Sequence, residues 1–122
     1  MTYVVYGNKN KLFREHQKTL EIISKKYEEH TRLKTMSNQI KWDMDEIASI
    51  SRSGVINSKT VDGKPMHKNA EERNTALGGI LRAHAEYNRL REMRDTTEDQ
   101  LIGVDNDIKM LRLKLHFYEV NA

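Results

Sequence analysis

The 122-residue sequence contains no cysteine, which excludes disulfides and thiol catalysis and suits a reducing compartment. Its single proline, Pro65, leaves long stretches without a helix breaker. Aromatics at 7% supply few anchors for a β-sandwich. A hydrophobic share of 37% beside 32% charged residues is lean for a chain that must cover its own core. No apolar run reaches the length needed to cross a bilayer. The beginning, MTYVVYGNKNK, lacks the basic-then-hydrophobic order of a secretion signal, so the expected location is cytoplasmic. Charge of one sign is also missing: 21 basic against 18 acidic residues leave a net of only +3, too weak a mean field to imply nucleic acid.

Strong helix formers (Glu, Lys, Arg, Leu, Met and Ala) dominate instead, and the expected class is all-α, one domain over residues 1–122. TYVVY, at Thr2–Tyr6, is β-branched and aromatic, and Gly7-Asn8 follows as a turn signal, so residues 1–8 read as a short strand or arm. A first helix over 9–51 is predicted by the stripe Phe13, His16, Leu20, Ile23, Tyr27, His30, Leu33, Met36, Ile40, Ile47 and Ile50. An extra three-residue step between His30 and Met36 predicts a distortion near Thr31–Ser37. Residues 52–68 hold Gly, Ser, Asn, Asp-Gly and the proline, and read as a connecting loop or small β-hairpin in which Val55-Ile56 pairs with Thr60-Val61. A second helix over 69–119 carries the clearest pattern: Ile80, Ala83, Tyr87, Leu90, Arg94, Thr97, Leu101, Val104, Ile108, Leu111, Leu115 and Tyr118 keep three-four spacing throughout. Asn69 with Glu72 makes a capping box at its start. A break at Asp95-Thr97, where Thr97 and Gln100 make a second box, competes with continuity, and continuity is favoured because the phase is the same on both sides. The architecture expected is two long helices in an antiparallel, coiled-coil-like hairpin. One seam per helix leaves Leu77, Leu81, Leu113, Phe117, Ile22 and Trp42 partly uncovered, which predicts a homo-oligomer, dimeric or higher, built as a helical bundle.

Two groups of residues are candidates for binding. Lys64, Lys68, Asn69 and Arg73 surround a helix start, where free N–H groups and the dipole favour a phosphate or carboxylate. The spacing is not a phosphate-binding GxxxxGK[ST] loop, and a turn followed by a capped helix explains the same residues. The adjacent glycines Gly78-Gly79 each cost about 1 kcal/mol against Ala in a helix and ask for a close approach. Residues 9–41 hold nine Lys or Arg against four Glu, about +5, whereas 69–122 hold eight against ten, about −2. Lys11, Arg14, Lys18, Lys25, Lys26 and Arg32 in that basic half are the candidates for a nucleic-acid backbone, with Tyr3, Tyr6 or Tyr27 to stack on bases. Interleaved Glu15, Glu21, Glu28 and Glu29 favour a solvated face instead. The five histidines show no metal-ligand spacing, and Asp43, Asp45 and Glu46 lack the cleft that acid–base catalysis needs. No metal, no cofactor and no enzyme activity are expected.

The run GKPMHKNAEER, the Tyr87 helix behind it and the heptad tail resemble small helical proteins of phages and mobile elements that carry a GKN-x-x-x-R-like start to such a helix and are mostly without assigned function. The resemblance covers residues 61–118. Asn69 and Arg73 keep the spacing, while Pro65, Met66, His67 and Lys68 separate Gly63-Lys64 from them. What it implies is a setting, the cytoplasm of a bacterial host, and action by binding. The leading expectation is a non-enzymatic oligomer that contacts a host or phage nucleic-acid-processing or defence factor. The alternatives are an anionic nucleotide held at a subunit interface by Lys64, Lys68, Asn69 and Arg73, and direct DNA or RNA binding by the basic first helix.

Overall fold

In the computed structural model, which describes the backbone of residues 2–121 and the side chains of residues 10–121, the described residues form an all-helical structure. Its helices are α1 (Thr2–Asn57), α2 (Ala70–Ala83) and α3 (Ala85–Asn121), with no strand among the described residues. No helix among those residues is long and apolar enough to cross a membrane.

The expected strand at Thr2–Tyr6 is corrected: these residues are in the first turns of α1. Strand preference depends on a neighbouring edge, and a lone extended segment leaves its N–H and C=O groups unpaired, whereas a helix pairs them locally. The side chains of Tyr3 and Tyr6, proposed to stack on bases, lie outside the described residues. At its other end α1 runs through Ser51 to Asn57, so Val55-Ile56 is not a hairpin strand. Burial of Val55 rewards those extra turns. The last carbonyls are then closed locally, Ser58 Oγ donating to Gly54 O at 2.7 Å and Ser58 N to Val55 O at 3.4 Å.

The stripe expected along α1 shifts. Thr19, Ile23, Lys26, His30, Leu33, Ser37, Ile40, Met44, Ile47 and Ser51 form its inner row, each buried or half-buried, in unbroken steps of four and three. The predicted phase change near Thr31–Ser37 is absent, because Ser37, only 2% exposed, holds the seam position that Met36 was expected to hold. Phe13 and Ile50, expected inside, are 63% and 67% exposed. Small hydroxyl side chains fit a helix seam when the hydroxyl returns to its own backbone: Thr19 Oγ1 donates to Glu15 O at 2.8 Å, and Thr97 Oγ1 to Met93 O at 2.8 Å.

The second predicted helix is two helices. The break falls at His84, after the fourteen residues of α2, and Asp95–Thr97 is continuous helix. His84 has φ −82° and ψ 108° and serves both neighbours. Its N–H donates to Leu81 O at 3.2 Å, and its ring Nδ1 accepts from Tyr87 N at 3.1 Å, which caps α3. Asn88 Nδ2 closes the join by donating to Arg82 O at 2.8 Å. From Tyr87 to Tyr118 every predicted seam residue of α3 is buried or half-buried, while Ile80 and Ala83 on α2 are exposed.

The chain divides into two compact units, residues 36–98 and residues 1–35 with 99–122. In the latter, α1 and α3 pack antiparallel around Ile23, Leu33, Val104 and Ile108, with Leu101, Leu111 and Leu115 against them. Partner numbers fall on α3 as they rise on α1: His16 stacks edge-on against Tyr118, Lys26 pairs with Asp107 and His30 with Asp105. In the unit of residues 36–98, Ile40, Met44 and Leu90 form the core with Ile47 and Tyr87, and Thr97 packs on Met36. Leu77 is the buried residue of α2.

Candidate functional site

The connector and the start of α2 decide what Lys64, Lys68, Asn69 and Arg73 can do. Thr60 to Gly63 form a tight turn in which Gly63 N donates to Thr60 O at 3.0 Å, and Gly63 has φ 80°, a conformation that glycine adopts without strain. Thr60 N then donates to Lys64 O at 2.7 Å, and Lys59 bridges Pro65 antiparallel. The connector is thus a loop with one bridge, in which Thr60 bonds to Lys64 and not to the Val55-Ile56 pair. Asn69 is the N-cap of α2: its Oδ1 accepts from Glu72 N at 2.8 Å, while Glu72 Oε2 accepts from Lys68 N at 2.7 Å. The forward bond of the predicted capping box is made, while the return bond goes to the N–H of Lys68, one residue before the cap. Arg73 N donates to Asn69 O at 3.0 Å as the first helical bond.

The N–H groups of Gly63, Lys68, Glu72 and Arg73 are therefore already bonded, and the Glu72 carboxylate puts a negative charge at the helix start. The groove beside the cap is lined by His67, Asn69, Glu71, Glu72, Thr75 and Ala76. Of the four predicted residues only Asn69 lines it, and its charged members are acidic. Lys64 and Lys68 are exposed. Gly79 has nothing within 4 Å of the place a Cβ would take, and Gly78 meets only the flexible tip of Arg82 at 3.4 Å, so no close approach among the described residues accounts for the glycine pair.

Among the predicted cations of α1, Lys11, Lys18, Lys25 and Arg32 repeat every seven residues and are all exposed, which places them in one row about 10 Å apart. Arg14 is exposed one turn from Lys11. Lys26 stands apart from the row: it is on the inner face, 3.0 Å from Asp107 and 3.8 Å from Glu29. The hydrogen bond with Asp107, then its charge, raises the Lys26 pKa above its ordinary value.

A cluster missed in the sequence lies beside the seam of residues 1–35 and 99–122. Tyr27, His30, Asp105, Ile108, Lys109 and Arg112 line a cleft of about 230 Å³. Arg112 Nε donates to Tyr27 Oη at 2.8 Å, and Nη2 donates to the same oxygen. His30 Nε2 lies 3.1 Å from Asp105 Oδ1. Tyr27 and His30 were legible as neighbours on one helix, but nothing in the sequence specifies the register that brings Arg112 and Asp105 across to them. Among the described residues no group of three His, Asp or Glu side chains is placed to hold a metal ion. No protein-family model matches the chain, and no match was found among curated proteins or among solved structures.

Proposed function

We propose that the protein is a non-enzymatic binding protein that works as a homo-oligomer and presents exposed helix faces to a macromolecular partner. The observation that carries this reading is a second apolar row on α3. Met110, Leu113, Phe117 and Val120 follow at three-four-three spacing on the face opposite the seam, and each is more than half exposed. The row exposes on the order of 450 Å² of side-chain surface, and Phe13, Leu20 and Ile22 are exposed on α1. That is about half of the roughly 800 Å² that one partner contributes to a standard interface, polar rim included. Lys109, Lys114 and His116 rim the α3 row, while near Leu20 α1 exposes Glu21 and Glu28 interleaved with Lys18 and Lys25. A four-helix arrangement of two chains covers both faces.

The further reading, a host or phage nucleic-acid-processing or defence factor as partner, in a bacterial cytoplasm, rests on the resemblance of residues 61–118 to phage and mobile-element proteins. Replacing Leu113 and Phe117 by Glu tests the assembly. Light scattering is expected to fall from dimer to monomer mass with helicity retained; an unchanged mass for the double variant overturns the assignment of this face.

A second reading is favoured by one observation: the row Lys11, Lys18, Lys25 and Arg32 is exposed and makes no ion pair with a described residue. Four phosphate contacts on duplex DNA imply a fall in affinity of about 150-fold between roughly 50 and 200 mM salt. Flat salt dependence removes it. The nucleotide reading at Lys64, Lys68, Asn69 and Arg73 has to place its phosphate beside the Glu71 and Glu72 carboxylates that line the groove at the cap.

A further inference from the structure

The cleft of Tyr27, His30, Asp105, Ile108, Lys109 and Arg112 has a donor inventory that the helix packing does not use. Arginine has five N–H donors in a rigid fork. Arg112 spends Nε and one Nη2 hydrogen on Tyr27 Oη, which anchors the guanidinium along one edge. Its other edge, formed by Nη1 and the remaining Nη2 hydrogen, is the one that grips two oxygens of a single anion. Tyr27 Oη accepts from Arg112 and keeps its own O–H to donate. Lys109 stands one turn from Arg112 on α3. Neither cation pairs with a carboxylate among the described residues. Asp105, the cleft's one acid, is engaged by His30 at 3.1 Å, and buried Ile108 forms an apolar wall.

Two unneutralised cations and a phenol hydroxyl in one small cleft call for a ligand that only accepts hydrogen bonds, has several oxygens and carries more than one negative charge. We propose that this cleft binds the phosphate group of a small phosphate monoester, gripped by the outer edge of Arg112 with Lys109 and Tyr27 as the second and third donors. At about 230 Å³ the cleft is smaller than sites that enclose a whole ligand, so the phosphate enters and the rest of the ester stays outside. The residues involved are separate from the apolar row of Met110, Leu113, Phe117 and Val120, apart from Lys109 at its rim.

Calorimetry of the 122-residue chain with AMP, adenosine and inorganic phosphate tests this. AMP and phosphate are expected to bind and adenosine not. Arg112→Gln should weaken AMP at least tenfold, while Arg91→Gln, which removes an exposed charge elsewhere, leaves affinity unchanged. Arg112→Lys keeps the charge without the fork and should still lose severalfold, which decides the matter if Arg112→Gln unfolds. Equal binding of AMP and adenosine, equal loss in Arg91→Gln, full affinity in either Arg112 variant, or no heat with AMP and phosphate at millimolar concentration overturns the proposal.

Discussion

Leu33→Ala is the sharpest test of which face of α1 is inside. Leu33 is 1% exposed in a cluster with Ile23, Val104 and Ile108. Truncation removes three carbons, about 2.4 kcal/mol at ~0.8 kcal/mol each. The residual cavity adds to this, though a helix pair closes partly over a missing side chain, so the lower end of the usual Leu→Ala range applies and the expected loss is about 3 kcal/mol. Ile50, part of the stripe predicted from periodicity but 67% exposed, is the control. Ile50→Ala removes little buried surface and gains helix propensity, so it should stay within ~0.5 kcal/mol of the parent. Urea unfolding followed by far-UV circular dichroism reads both, at one fixed protein concentration because self-association ties stability to concentration. At a slope of roughly 1.5 kcal/mol/M the Leu33 variant's midpoint falls by about 2 M. A loss below about 1 kcal/mol for Leu33→Ala, or equal losses for the two variants, refutes the assigned seam.

Three further outcomes follow from local geometry. Gly79→Ala should stabilise by about 0.5–1 kcal/mol, since nothing lies within 4 Å of the new methyl; a destabilised variant in thermal melts would mean that another molecule approaches there. His84→Ala should cost about 1 kcal/mol in urea titration by removing the acceptor for Tyr87 N, whereas His84→Asn, which keeps an acceptor, should stay within a few tenths; equal effects would deny His84 its capping role. The hydrogen bond from Arg89, then its charge, holds the Glu86 carboxyl below the usual carboxylate range, so the stabilisation it gives is complete above that range and is lost as pH falls through the depressed value. Carbon-detected NMR titration should place the Glu86 midpoint higher in Arg89→Gln than in the parent, and coincident curves would contradict the pairing.

The tail of the chain was legible because its seam is spelled in large apolar residues: from Tyr87 to Tyr118, Arg94 and Thr97 included, each predicted position is buried or half-buried. The first helix was legible as a helix but not in phase. A count of apolar side chains passes over Thr19 and Ser37, and the exposed Phe13, Met36 and Ile50 drew the stripe toward the wrong face. The break at His84 carries no proline or glycine at the join; a ring nitrogen and Asn88 make it, and neither has a distinctive spacing. The capping box at Asn69 and Glu72 was readable because it is local, three residues apart. The cleft of Tyr27 and Arg112 was not, since eighty-five positions separate the two residues and only the pairing register joins them.

The exposed row of Met110, Leu113, Phe117 and Val120 asks for a covering partner, and the proposed one is a second copy of the chain. Sedimentation equilibrium of the unmodified protein, over roughly 1 to 100 µM, measures this without a variant or a ligand. Twice the chain mass, declining toward one only at the dilute end, is the expected result. A single-chain mass across the whole range would contradict it.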